Sequence, residues 1–191
     1  MALLAARHHG EALASAEQSV AIFRSLAAAR PGQPLPGLAF ALNNLSYPLR
    51  AAGHQEEALA AAMEATGLYR ALAKGSPRKY RYSLANSLGT QAELLAAAGR
   101  TSLALAVASE AADLYQGMRP AHRSASGATQ VLFLHGQLLC EASRHREAAR
   151  SLARAWHLAA APPGPNLPST EQCSGPPITL TRRHSSLPGT P

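Results

Sequence analysis

The sequence predicts an all-α protein: a right-handed α-solenoid of about seven helices in antiparallel pairs, with a disordered tail over residues 161–191. Two observations carry this expectation. One segment recurs at a near-constant interval through residues 8–160, rich in alanine at helical spacing. Beyond Ala161, prolines at 162, 163, 165, 168, 176, 177, 188 and 191 leave no room for helix or core.

The recurrence is visible residue by residue. Glu11-Ala-Leu-Ala-Ser-Ala-Glu-Gln-Ser-Val-Ala-Ile-Phe23 aligns with Glu57-Ala-Leu-Ala-Ala-Ala-Met-Glu-Ala-Thr-Gly-Leu-Tyr69, and this with Leu103-Ala-Leu-Ala-Val-Ala-Ser-Glu-Ala-Ala-Asp-Leu-Tyr115. The aromatic residue falls at 23, 69 and 115, 46 apart each time. A fourth copy, Glu147 to Leu158, comes after a shorter step, since Ala148 stands 44 residues beyond Ala104.

A second block precedes three of the copies: Leu45 to Gly53, Gln91 to Gly99 and His135 to Ser143. Leu42, Leu45 and Leu49, like Leu88, Ala92 and Leu95, repeat at helical spacing, and Gly53 and Gly99 are residues that end helices in the left-handed conformation. Each repeat is therefore expected to be two helices joined by a tight turn. Pro31 to Pro36, Gly75 to Pro77, and Gly117 with Pro120 punctuate the connections between repeats. The expected helices cover 8–29, 37–52, 54–74, 79–98, 100–117, 124–142 and 145–160. They form a half repeat (8–29) and three full ones (37–74, 79–117 and 124–160) in a domain over 1–160. Pro48 lies inside the second helix, where it removes a backbone hydrogen bond and crowds the preceding turn, so a kink is expected near Asn44.

These residues resemble the tetratricopeptide repeat (TPR) family. Its pattern of large apolar residues in the first helix, glycine at the turn and small residues in the second is met by Leu42, Leu45, Ser46, Leu49, Gly53, Ala58, Ala62 and Ala65. Leu88, Ala92, Leu95, Gly99, Ala104, Ala108 and Ala111 follow in the next repeat, and Leu132, Gly136, Leu139, Ala148 and Ala155 in the last. The spacing is longer than the family's usual unit and looks like the alanine-rich arrays of large bacterial signalling proteins. The resemblance implies a cytoplasmic scaffold that binds a protein or peptide partner, with this chain a fragment or terminal part of a larger regulator. It implies a groove lined by the first helix of each pair. The matching positions are Asn43, Tyr47 and Arg50, then Asn86 and Glu93, then Gln130, Phe133 and Gln137. The family's carboxylate clamp uses a lysine and an asparagine, and Asn43 and Tyr47 stand in those places.

Composition narrows the alternatives. The 191 residues are 47% hydrophobic but only 5% aromatic, so the core must come from small side chains. No apolar run reaches the roughly 18 to 20 residues that cross a bilayer, so no membrane partner is expected. The two cysteines, Cys140 and Cys173, form no metal or disulfide framework, which fits a reducing cytoplasm. Phosphate-loop, dinucleotide, nucleophile-elbow and zincin motifs do not occur, and no enzyme, metal or cofactor is expected. His8, His9 and Glu11 come nearest to metal-ligand spacing, and the lone His135 on an apolar face reads as a hydrogen-bonded core residue.

The net charge of +7 and the cluster Arg78-Lys79-Tyr80-Arg81-Tyr82 raise the alternative of a nucleic-acid-associated helical repeat. Arg182-Arg183-His184-Ser185 resembles a basophilic kinase site. At the ends of the stack, Leu13, Val20, Ile22 and Phe23 are the candidates for an open flank on the first helix, closed by further repeats, a partner or a second copy. On the last helix, Arg146, Arg150, Arg154 and His157 form an outer stripe, with Ala148, Ala149, Leu152, Ala155 and Trp156 expected on the inner face.

Overall fold

The protein is all-α. The computed structural model describes residues 2–29, 32–118 and 125–160, with side chains for 10–29, 32–118 and 126–159. They lie in one compact unit and form α1 (Ala2–Ala28), α2 (Pro36–Ala51), α3 (Gln55–Gly75), α4 (Pro77–Ala97), α5 (Thr101–Gln116), α6 (Ala125–Glu141) and α7 (His145–Ala160). Residues 161–191, expected to be disordered and carrying the Arg182–Ser185 motif and Cys173, lie outside the described residues, as do the side chains of His8 and His9. Among the described residues, no helix is long and apolar enough to cross a membrane.

Two boundaries differ from expectation. α1 begins at Ala2 rather than at residue 8, because alanine and leucine favour helix and nothing before Gly10 breaks it. α4 begins at Pro77, a residue suited to the first helical position because its missing N–H would be unpaired there anyway. Pro48 lies inside α2, which continues past it from Pro36 to Ala51. It sits in the last turn, and the carbonyl it deprives of a partner is that of Asn44, an exposed residue open to water.

The three hairpin turns are one design repeated. After α2, Gly53 takes φ +87°, its N–H donates to the Arg50 carbonyl at 3.1 Å, and the His54 N–H donates to that of Leu49 at 2.9 Å. After α4, Gly99 takes φ +71° and Arg100 donates to the Leu95 carbonyl at 2.9 Å; after α6, Ser143 takes φ +59° and Arg144 donates to that of Leu139 at 2.8 Å. This is the Schellman turn, which satisfies the last carbonyls of a helix and needs a left-handed residue. Ser143 adopts it against its own preference.

Packing follows chain order: each helix lies on the next, and α4 also touches α6. Small residues permit the approach. Ala58, Ala62 and Ala65 on α3, and Ala104, Ala108 and Ala111 on α5, are all 0% exposed. A Cβ added at Gly89 on α4 would stand 2.6 Å from Val131 Cγ2 on α6, and one at Gly136 would stand 2.6 Å from Leu152 Cγ on α7. One buried polar pair joins α3 to α4: the Thr66 hydroxyl donates to the Ala62 carbonyl at 2.9 Å and meets Ser87 Oγ at 3.0 Å. On the odd-numbered helices an exposed ladder repeats with the sequence, Arg24 to Glu64 at 2.8 Å and Arg70 to Glu110, one repeat later.

The ends correct the expected faces. Val20 is buried at 3%, and Leu13 and Phe23 pack partly against the core, so these three face inward; Ile22 stays 54% exposed, joined by Leu26 at 51%. On α7, Ala148 and Ala155 are buried and Leu152 half-buried, but Ala149 is exposed and Trp156 is 73% exposed. Trp156 is the repeat equivalent of Thr66, the residue that meets the following helix, and after α7 no such helix is described.

Candidate functional site

At about 100° per residue, Phe40, Asn44, Tyr47 and Ala51 fall in one line along α2, and all four are exposed. Their repeat equivalents are Asn86, Thr90, Glu93 and Ala97 on α4, then Gln130, Leu134, Gln137 and Glu141 on α6. Tyr47, Asn86, Glu93, Gln130 and Gln137, expected as groove residues, all belong to this shared face.

Tyr47 is held rather than loose. The Thr90 hydroxyl donates to the Asn86 carbonyl at 3.3 Å, which leaves Tyr47 Oη as donor in the 2.9 Å bond to Thr90 Oγ1. The phenol thus bridges α2 to α4 while 43% of the residue remains exposed. Two helical turns away, about 10 Å along the axis, Phe40 is 61% exposed. Phe40 was missed in the sequence, although subtracting 46 from Asn86, a residue that was chosen, arrives at it.

The other three expected contacts lie to one side. Asn43 is only 6% exposed, and its Oδ1 has no partner among the described residues. It occupies the place that Gly89 occupies against Val131, in the seam between successive even-numbered helices. α4 and α6 meet there directly, whereas α2 and α4 make at most marginal direct contact, as a side chain in place of a glycine hydrogen requires. Asn43 therefore belongs to the packing and cannot meet a guest in this arrangement. Phe133 is the third occupant of that position and is 52% exposed because no further even-numbered helix follows among the described residues; it belongs to the end of the stack. Arg50 is half-buried beside Glu93. Burial raises the Glu93 carboxyl above the usual range, and the Arg50 guanidinium pulls it back down.

His135 sits between α5 and α7. Its Nε2 lies 3.0 Å from Ser109 Oγ and its Nδ1 3.1 Å from Ser151 Oγ. Both hydroxyls also donate to main-chain carbonyls, Ser109 to Leu105 and Ser151 to Leu132, each at 2.8 Å. A neutral imidazole carries one N–H, so one ring nitrogen donates to its serine while the other only accepts, and the hydroxyl on that side is shared between the ring and its carbonyl; the cluster ties α6 to both α5 and α7. Burial lowers the His135 pKa, the Asp113 carboxylate raises it, and Arg144 adds to the lowering. A cavity of about 190 Å³ opens beside it, with Arg150 and Arg154 on its wall.

The basic aromatic cluster at the start of α4 is partly engaged inside the fold. Arg81 Nη1 donates to the Gly117 carbonyl at 3.0 Å, Tyr82 meets Tyr115 edge to face at 6.2 Å between centroids, and the Lys79 ammonium lies 5.1 Å from the Tyr80 ring.

No family model matches the chain, and no curated protein does. Among solved structures it is similar to that of BtubC (BKLC) from P. vanneervenii, with a TM-score of 0.61 and 14% identity over 82% of this chain and 61% of that one. The chain thus spans under two thirds of that protein, and the likeness is one of fold.

Proposed function

We propose that this chain is a protein-interaction scaffold with no catalytic centre of its own, taking an extended peptide or protein segment along the face shared by α2, α4 and α6. The resemblance to tetratricopeptide repeats supports the reading, and the setting proposed with it is a larger cytoplasmic bacterial regulator. The single observation that carries it is the pair Phe40 and Tyr47, two aromatic rings left in solvent on one line, the second pinned by Thr90. One held aromatic ring with a second in line, on a face that α4 and α6 continue with the amide side chains of Asn86, Gln130 and Gln137, is the kind of surface that anchors side chains and pairs with an extended backbone.

Selection of peptides from a displayed random library, followed by calorimetry, tests it. Selected peptides should lose about tenfold or more in affinity with Phe40→Ala or Tyr47→Ala, a loss of roughly 1.4 kcal/mol. Binding that survives both substitutions would reject this face. Binding to DNA or RNA that falls steeply with salt and is lost on Arg78→Ala with Lys79→Ala would favour the nucleic-acid reading instead.

A further inference from the structure

The exposed ladder on the odd-numbered helices changes sign at its last step. Arg24 on α1 meets Glu64 on α3, and Arg70 on α3 meets Glu110 on α5. One repeat further, the donor's place is held by Gln116 on α5 and the acceptor's by Arg154 on α7. Arg150, one turn before Arg154, stands where the earlier repeats carry Ala60 and Ala106. A carboxylate and an alanine have thus given way to two guanidinium groups. Both arginines are exposed, and among the described residues neither forms a hydrogen bond or an ion pair. Like charges four residues apart weaken a helix slightly, a cost that an anion between them would reverse.

The two side chains stand at the cavity of about 190 Å³ floored by His135, Leu139 and Ser151. Its wall carries one carboxylate, Glu147, whose oxygens already accept from Arg144 Nε at 2.8 Å and Nη2 at 2.6 Å. Asp113 on α5 acts on His135 and forms no ion pair with either arginine. The His135 ring and the Ser151 hydroxyl are engaged with each other at 3.1 Å, so the free donors here are the guanidinium N–H groups.

We propose that Arg150 and Arg154 form an oxyanion site at the mouth of this cavity, closing on a phosphate or carboxylate group supplied from outside the chain. Side chains four apart share one helix face, and each guanidinium presents a fork of N–H donors matched to the paired oxygens of such groups. The local charge favours an anion, since Arg144, Arg150 and Arg154 outnumber Glu147 and Asp113. On α6, His135 and Leu139 point away from the side that carries Gln130 and Gln137, so the site is separate from the peptide face and does not depend on that reading. A free phosphate ion and the acidic side chain of a partner carry the same chemistry, and the two arms of the test tell them apart.

Arginine Nε–Hε resonances of the isotope-labelled full chain would be followed while inorganic phosphate, or separately N-acetylglutamate amide, is added at constant ionic strength. The signals of Arg150 and Arg154 should shift together and saturate, with a dissociation constant of about 1 to 10 mM for the better probe. Saturation by phosphate alone assigns the site to phosphate, and saturation by the glutamate probe assigns it to an acidic side chain. Arg150→Gln and Arg154→Gln should each weaken binding about tenfold or more while far-UV circular dichroism stays unchanged. Arg146→Gln, on the outer face of the same helix, should leave it as it was. No saturable shift with either probe up to about 100 mM, equal shifts at Arg146, or binding indifferent to both glutamine substitutions would overturn the assignment.

Discussion

Two glycines in helix interiors should respond with opposite sign to the same added methyl group. Gly67 on α3 has nothing within 4 Å of a Cβ placed on it. Gly67→Ala therefore only removes glycine's excess chain entropy, a gain of about 0.5–1 kcal/mol. At Gly89 the same gain is available, but the Cβ would stand 2.6 Å from Val131 Cγ2. Val131 is 4% exposed and β-branched, so it has neither space nor an alternative rotamer, and α4 and α6 must part by roughly 1 Å to reach ordinary contact. Overpacking of that kind costs about 1–3 kcal/mol, so Gly89→Ala should be destabilising by about 0.5–2 kcal/mol net. At about 2–4 °C per kcal/mol for a chain of this size, Gly67→Ala should melt a few degrees above the parent and Gly89→Ala a few degrees below it. Urea midpoints followed by far-UV circular dichroism would measure both, and Val131→Ala in the Gly89→Ala background should recover part of the loss as a coupling term. If Gly89→Ala stabilises as much as Gly67→Ala, the close approach of α4 to α6 is wrong, and with it the account of Asn43.

The third hairpin turn should be improvable: Ser143→Gly removes a side chain from φ +59° and should stabilise by about 0.5–1 kcal/mol in a denaturant titration, whereas Gly53→Ser, at φ +87°, should destabilise. The lowered pKa of His135 means that the unfolded chain binds the proton more readily than the folded one. Its contribution is therefore present above the ordinary value of about 6.5 and lost as pH falls through the lower folded value. Melting temperatures scanned downward from neutral pH should fall, and His135→Gln, the residue type standing at position 91, should flatten that part of the profile.

Turn chemistry and alanine spacing are local properties, which is why the helix hairpins could be read from the sequence so closely. Gly53 and Gly99 mark their turns by type, and Ser143 is found only by register with them. Periodicity also tells which side of a helix is apolar, but not which neighbour covers it. Asn43, Gly89 and Phe133 share one position, yet one fills a seam, one closes it and one stands in solvent, because their neighbours differ. Trp156 was misread for the same reason: an apolar residue on the inner stripe of an amphipathic helix is buried only when a following helix arrives. Phe40 was overlooked for another, since an exposed aromatic residue does not fit the amphipathic pattern and only the interval of 46 reveals it. The pinning of Tyr47 by Thr90 needs side-chain positions and has no signature in the chain.

Because the principal contacts join helices that are neighbours along the chain, with α4 to α6 the longest reach, no stage of assembly must wait for distant segments to meet. Such a molecule has no single keystone. Its free energy is held in hinges between adjoining units, so loosening at α7 dissipates within a unit or two and leaves α1 to α3 standing.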